Sequence, residues 1–491
     1  MAAQIVGIIC GLITPRLILA NFGSTYNGVI SSATQFLSFI TILNIGISGA
    51  TRVALYKTLA SDDITGTSRI MKATKQYMRK VAYILIAYTG ALCLIYPYIS
   101  HNTLSPADSA ALIAIVAISS FAEYYFGISN TTLLTADQSS YVINVINILK
   151  TIINTIITVI LIKCGFSIHI VKLGSAIVFF LSPLILELYV TRKYHLVKNC
   201  EPDFSAIKNR GAVAFHSIAN IVHNNTDLIV LTLFTDAKVI SVYTVYYLVV
   251  GRIKSLMTVF TTGLEAAIGN MWVNKEMDSL QQNFRMFEFG ISVFVAVMFS
   301  CIGVLILPFI ALYTKNVTDV NYIRIELAIL ITITEAIYCI RQPYLTLVQA
   351  TGSYKETKTG AMFEAIINLA VSLILVGPLG INGVMIGTLV ANLFRTTQYS
   401  IYVSKHLLKR DYKQIILRMI WIIISCAFII GVSLCITKDM NVATSWKGWI
   451  IMAFIVFGVS CVVSLIMSLL FYKNDYLCLK NALFRAMPHK H

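Results

Sequence analysis

Charge is scarce in this sequence: Asp, Glu, Lys and Arg together make up 12% of its 491 residues, while 57% are hydrophobic and the mean hydropathy is +0.78. A chain this apolar excludes an ordinary soluble globule, which needs far more polar surface. Its 10 cysteines are scattered from Cys10 to Cys478 with no Cys-x-x-Cys, and its 8 histidines show no paired ligand spacing. That pattern excludes a disulfide framework and a metal site and leaves the cysteines as small core residues. A Gly-rich phosphate loop, a low-complexity tract and a soluble domain of useful size are also missing, so function has to reside in the apolar spans and the short loops between them. The first apolar stretch lacks a small-residue cleavage site and runs straight into Thr14, Pro15 and Arg16, so it reads as a span rather than a secretory signal. Met1 abuts it with no charged tail, as expected if residues precede it.

What is present is a series of fourteen apolar stretches, most of them about the twenty residues needed to cross about 30 Å of hydrocarbon. They cover 2–21, 26–56, 81–100, 107–136, 142–162, 170–190, 212–234, 239–272, 287–313, 322–350, 359–376, 381–404, 419–436 and 448–472. The expected fold class is therefore an all-α polytopic membrane protein with about 14 transmembrane helices. The net charge of +16 does not call for nucleic acid, because the cations collect in short loops as the positive-inside rule requires. Placing the amino terminus inside puts Lys57, Arg69, Lys72, Lys75, Arg79, Lys80, Arg192, Lys193, Lys405, Lys409, Arg410, Lys413 and Arg418 in cytoplasmic loops, and the tail with Lys473, Lys480 and Arg485 also inside.

Polar residues on one helical face mark the candidate site. Asn27, Ser31, Thr34, Ser38, Thr41, Ser48 and Arg52 are three, four or seven apart, which aligns them along one long helix. A second stripe of Ser241, Thr244, Gly251, Ser255, Thr258, Thr262 and Glu265 follows about 214 positions later. Unpaired polar groups in hydrocarbon cost several kcal/mol, so such faces line protein or a wet cavity. The same offset places TIINTIITVIL at 151–161 over AIINLAVSLIL at 365–375, with Asn154 on Asn368. Repeated self-matches indicate duplication. The expected organisation is two pseudo-symmetric six-helix lobes, 1–191 and 212–407, joined by a cytoplasmic linker at 192–211 and followed by two accessory helices and a tail at 408–491, with a central cavity.

Ionisable residues at membrane depth are functional candidates by default. Under the repeat Arg16 falls beside Asp227, Arg52 beside Glu265, and Lys150 on Glu364, so one half offers cations where the other offers acids. That asymmetry suits an anionic substrate held by Arg16, Arg52 and Arg252, whose planar forks bind phosphate oxygens bidentately, with Lys150 and Lys254 adding charge. Asp227, Glu265 and Glu364 are the acids expected to pair with an empty site or exchange a cation. His223 and Asp227, one turn apart, form a candidate proton or cation relay, and the same side chains equally suit cross-helix hydrogen bonding. Glu123, Glu335, Arg341 and Arg395 read as packing pairs.

Three stretches carry a family resemblance: TPRLILANFGSTYNGVISSATQFLSFITILNIGISGATRVALYKTLASDD at 14–63, NNTDLIVLTLFTDAKVISVYTVYYLV at 224–249, and AIINLAVSLILVGPLGINGVMIGTLVANLFR at 365–395. With them the chain, over essentially its whole length, resembles the Wzx-type polysaccharide or O-antigen flippases of the multidrug/oligosaccharidyl-lipid/polysaccharide (MOP) exporter superfamily. The resemblance implies a V-shaped cavity formed by spans one, two, seven and eight, alternating access, and residence in the bacterial cytoplasmic membrane with both termini cytoplasmic. It implies as substrate a polyprenyl-diphosphate-linked glycan held by Arg16, Arg52 and Arg252, with Asn27, Ser31, Gln35, Asn44, Tyr243 and Tyr246 lining the sugar path. The implied partners are membrane lipid and the polymerase and glycosyltransferases of the pathway. No cofactor is implied, and an H⁺ or Na⁺ gradient would supply the energy.

Three rivals share features with this reading. A multidrug/cation antiporter of the same superfamily needs cavity acids, whereas the first two spans carry arginines and no acid. A lipid II flippase has the same ligand chemistry but different opening motifs. A glycosyltransferase or polymerase needs an acidic cluster or a sizeable external loop, and the external loops are too short.

Overall fold

A computed structural model describes residues 2–44, 46–100, 104–197, 199–205, 221, 225–438 and 445–486. The elements are helices: α1 (Ala2–Phe22), α2 (Ser24–Ser38), α3 (Ile47–Ala60), α4 (Ile64–Ile99), α5 (Pro106–Ala122), α6 (Ile128–Ala136), α7 (Ser140–Lys163), α8 (Ile168–Tyr194) and α9 (Asn225–Phe234). They continue with α10 (Ala237–Val273), α11 (Met277–Tyr313), α12 (Ile325–Ile340), α13 (Gln342–Ala350), α14 (Tyr354–Leu379), α15 (Ile381–Tyr402), α16 (Lys413–Thr437), α17 (Trp446–Phe471) and α18 (Lys473–Ala486). Among the described residues 10 helical stretches are long and apolar enough to cross a membrane, or 11 with one bent pair counted as a span, so the chain is a multi-pass membrane protein.

Four of the fourteen expected stretches fall outside that test. The stretch 26–56 is not one long helix: it divides into α2 and α3, bent by 45°. The stretch 212–234 is described as helix only over Asn225–Phe234. The stretch 322–350 divides at Arg341 into α12 and α13, and α15 carries Asn382, Thr388, Asn392 and Arg395, which lower its hydropathy.

The helices form two compact units, Met1–Thr244 with Asn316–Val320, and Val245–Lys315 with Asn321–His491, the division falling within α10. In unit 1, α2, α4 and α5 meet around Val29, Ala33, Leu37, Met78, Ala82, Leu85, Tyr96 and Leu112. Helices in lipid associate through close packing rather than through exclusion of water, which explains the alanines at these crossings. Helix starts are capped by side chains: Asp63 accepts from the Gly66 amide at 2.8 Å, and Ser105 accepts from the Asp108 amide at 3.1 Å ahead of Pro106. The described part of the 192–211 segment lies along α4, where Lys72 donates to the Cys200 carbonyl at 2.8 Å and the Val197 amide to Ser68 at 2.9 Å.

At one corner of unit 1, Asp137 follows α6 and meets the end of α8, accepting from Lys193 at 2.9 Å and from Tyr194. Burial pushes the Asp137 carboxyl up, but the hydrogen bonds from Tyr194 and Lys193 outweigh it and hold the group below its ordinary range. A depressed acid stabilises the fold above its unfolded pKa, about 4, and loses that stabilisation as pH falls. Asp137→Asn is therefore expected to cost no more than about 1 kcal/mol of stability at neutral pH at this partly exposed site, read as a small fall in the thermal midpoint of detergent-solubilised protein. The difference from wild type should shrink as pH falls below the unfolded value, about 4, and vanish once the folded-state carboxyl is itself protonated.

Unit 2 is built on α11, which buries residues along its length from Leu280 to Tyr313 against α12, α16 and α17. Its polar end is closed by ion pairs. Glu288 takes both Arg410 nitrogens at 2.9 and 2.7 Å and the Tyr344 hydroxyl, and Asp475 of α18 takes Arg285 at 2.7 Å and Arg418 at 3.0 Å.

Candidate functional site

The first stripe begins as a closed seam inside unit 1. Asn27, buried on α2, donates to Ser241 at 2.8 Å, 214 positions further along the chain. Further along α2, Ser32 pairs with Thr232 at 2.7 Å, and Gln35 donates to Asn225, which also accepts from Ser38 at 3.0 Å. At the other end Asp319 caps α2 from outside the helix, taking the Ser24 amide at 2.8 Å and the Ser24 hydroxyl at 2.6 Å. The seam is tight because of Gly28: a Cβ there would lie 1.8 Å from the Ala237 carbonyl oxygen, so only glycine lets the α2 and α10 backbones approach so closely. Tyr243, buried beside it, donates to Asp227 at 3.1 Å.

Beyond Ser38 the helix tightens to a 3₁₀ turn over Phe39–Asn44. Ser38 and Thr41 bond back to the carbonyls three residues earlier, both at 2.6 Å, an alternative to the α-helical ladder that bends helices. Gly46, at φ 79°, completes the bend. The expectation of one straight polar face from Asn27 to Arg52 is corrected accordingly: Ser48 and Arg52 lie on α3. Ser48 donates to Asn44 at 3.0 Å, and the half-buried Arg52 has no hydrogen-bond partner for its Nε among the described residues. Arg16 is exposed on α1, Ser31 half-buried on α2, and Lys150 half-buried on α7 with its Nζ 5.2 Å from the Phe179 ring.

The second stripe follows α10, which runs unbroken over 37 residues. Ser255 and Thr258 turn their hydroxyls back to the Gly251 and Lys254 carbonyls at 2.9 and 3.0 Å. Arg252 and Glu265 are half-buried. Tyr246 has no exposure: its hydroxyl donates to the Tyr322 carbonyl at 2.8 Å and accepts the Arg324 amide at 3.0 Å, fastening the segment before α12.

Several charges at membrane depth in unit 2 are taken up in ion pairs. Lys254 lies 3.3 Å from Glu335 and over the Tyr338 ring at 3.7 Å. Glu364 sits between Arg341 at 2.5 Å and Arg395 at 3.4 Å, and Arg395, only 1% exposed, also reaches the Thr357 carbonyl at 2.9 Å and the Tyr399 hydroxyl at 2.5 Å. Of the acids expected to couple an ion, Glu364 is thus locked to two arginines, Asp227 is bonded to Tyr243, and Glu265 is half-buried. His223 lies outside the described residues. Sequence reasoning missed Asp319 and Asn225, polar residues flanking apolar runs, and Thr232, a single hydroxyl inside one. It also missed Gly28, one of 26 glycines.

By sequence the chain matches no family model and no curated protein. By structure it is similar to a lipid II flippase, MurJ, in an inward closed conformation, with a TM-score of 0.67 and 15% identity over 96% of this chain and 98% of that one. It is similar to a multidrug resistance MATE family transporter of the MOP superfamily in an inward-facing conformation, with a TM-score of 0.60 and 13% identity over 81% and 95% of the two chains. A mutant of the Vibrio cholerae MATE transporter VcmN gives a TM-score of 0.60 and 13% identity over 84% and 96%. Likeness at this level of identity establishes the fold, and the chain folds as the lipid II flippase and the MATE transporters fold.

Proposed function

We propose that this chain is a flippase of the MOP superfamily that carries a polyprenyl-diphosphate-linked oligosaccharide across the bacterial cytoplasmic membrane by alternating access. The observation that carries the reading is the charge of α1 to α3, which hold Arg16, Arg52 and Lys57 and no acid. A MATE-type exporter of organic cations would need carboxylates there. A diphosphate needs the reverse, because each uncompensated charge at membrane depth costs about 2.5–3.5 kcal/mol on insertion scales, and guanidinium groups supply the compensation while staying charged. Arg52 is the best placed, with a buried Nε that has no hydrogen-bond partner among the described residues. The polar seam of α2 is one of the closures that alternating access requires, since hydroxyl and amide pairs can part and be rehydrated at low cost whereas an apolar seal resists wetting. Both termini are cytoplasmic in this reading, and an H⁺ or Na⁺ gradient drives the cycle.

Arg52→Glu tests it. Charge reversal beside a phosphate group costs several kcal/mol, so export of lipid-linked saccharide should fall at least tenfold while membrane insertion stays normal. Wild-type export from that variant removes Arg52 from the site. A second reading, transport of lipid II itself, is favoured by the likeness to MurJ across 96% of the chain. The two are told apart by which lipid-linked saccharide accumulates when the protein is depleted.

A further inference from the structure

Unit 2 contains a groove of about 510 Å³ that the transport reading does not use. α10 supplies Met257, Phe260, Leu264 and Met271, α11 supplies Phe287 and Phe294, and Leu479 of α18 closes one wall. The groove has a polarity along its axis. At one end the Phe260 and Phe294 rings meet edge-on at 6.5 Å, and at the other Asn283 reaches the Met271 sulfur at 3.5 Å. From Asn283 to Phe294 is eleven residues of α-helix, about 16 Å, which is half of the roughly 30 Å hydrocarbon core and so the depth of one leaflet.

Charge gathers at the polar end. Arg285, two positions beyond Asn283, bonds Asp475, which lies one turn before Leu479 on the same face of α18. Asp475 is shared with Arg418, and the neighbouring Glu288 is taken up by Arg410, so among the described residues three arginines of this cluster face two acids and one positive charge is left over. Arg418 is buried, whereas the Arg285 side chain is 56% exposed and is the one an outside anion reaches. The groove itself opens at Phe260 and Leu264, 55% and 40% exposed.

We propose that this groove binds an anionic phospholipid of the bilayer, one acyl chain lying between α10 and α11 and the phosphate resting against Arg285. The second chain stays in the membrane, which the open side at Phe260 and Leu264 permits. An apolar slot of one leaflet's depth ending at a surplus guanidinium matches an amphiphile's own polarity. It also gives α18 a role, since Leu479 and the Asp475 clamp hold the wall and the charge in register. The proposal stands independently of the transport reading.

The test uses full-length protein stripped of lipid in detergent and offered phosphatidylglycerol, phosphatidylcholine or a polyprenyl phosphate, with retained lipid counted by native mass spectrometry. Wild type is expected to retain phosphatidylglycerol over phosphatidylcholine by about fivefold, the effect of one surface cation on an anionic headgroup. Ala267→Phe, which fills the groove, should abolish retention. Arg285→Gln, an exposed change that leaves Asp475 paired with Arg418, should retain both lipids equally and keeps the test decisive should the Phe variant fail to fold. Ile423→Phe, on the exposed face of α16, should behave as wild type. Equal retention of the two phospholipids by wild type, or undiminished retention by a folded Ala267→Phe, overturns the proposal. Displacement of phosphatidylglycerol by equimolar polyprenyl phosphate overturns it in favour of the carrier lipid.

Discussion

Replacing Gly28 with leucine is expected to hold the α2 seam apart and to abolish transport. The added Cβ would stand 1.8 Å from the Ala237 carbonyl oxygen, a backbone atom with no rotamer in which to retreat, so the helices themselves must separate. Separation stretches the Asn27 to Ser241, Ser32 to Thr232 and Ser24 to Asp319 contacts together. At about 1 kcal/mol net for each hydrogen bond, the closed arrangement loses about 3 kcal/mol, or roughly a hundredfold in population. A short bifunctional thiol reagent applied to an Asn27→Cys, Ser241→Cys pair reads this directly. Cross-linking should be rapid with glycine at position 28 and nearly absent with leucine. Gly7→Leu, where nothing lies within 4 Å, is the control that should change neither cross-linking nor transport. Undiminished cross-linking together with normal transport in Gly28→Leu would show that the seam does not close as described.

Glu364→Ala is expected to give the largest loss of stability. Arg341 and Arg395 are 4% and 1% exposed and share this carboxylate, so its removal strands two buried guanidinium groups. Breaking a buried ion pair from one side costs about 3–5 kcal/mol, most of it the burial of unpaired charge. The yield of monodisperse protein in detergent should collapse for Glu364→Ala. Pairing Glu364→Gln with Arg341→Met, which removes one acid and one base, should restore much of it. If Glu364 instead served as an ion-exchanging acid, Glu364→Gln alone would keep normal thermal stability and lose ion-driven transport. That pattern would reject the structural role.

The helical class and the membrane-spanning character were legible because they rest on composition and on the length of apolar runs, quantities that tertiary structure does not change. That both stripes are polar was legible from their spacing, but the direct hydrogen bond between Asn27 and Ser241 was not, since a repeat offset marks equivalent positions and not contacts. Nor was the bend between α2 and α3. Hydropathy averages over Ser38, Thr41 and Gly46, whereas the chain responds to each of them through back-bonding and a positive φ. Nothing in the sequence marked Asp319 as the cap of α2, since it lies 295 positions from Ser24 and only the fold brings it there. Periodicity identifies which face of a helix is polar but not what that face meets. Glu364 and Lys254 therefore look like free site charges in the sequence and stand in the structure as members of buried pairs.

On the proposed function, the chain moves a phosphate-linked saccharide lipid between leaflets. The most direct test is the leaflet distribution of that lipid in cells depleted of the protein, read with a membrane-impermeant saccharide-modifying enzyme or lectin. The account expects lipid-linked repeat units to accumulate out of reach on the inner leaflet and to become accessible again when wild-type protein, but not Arg52→Glu, is restored. Normal delivery to the outer leaflet after depletion would contradict it.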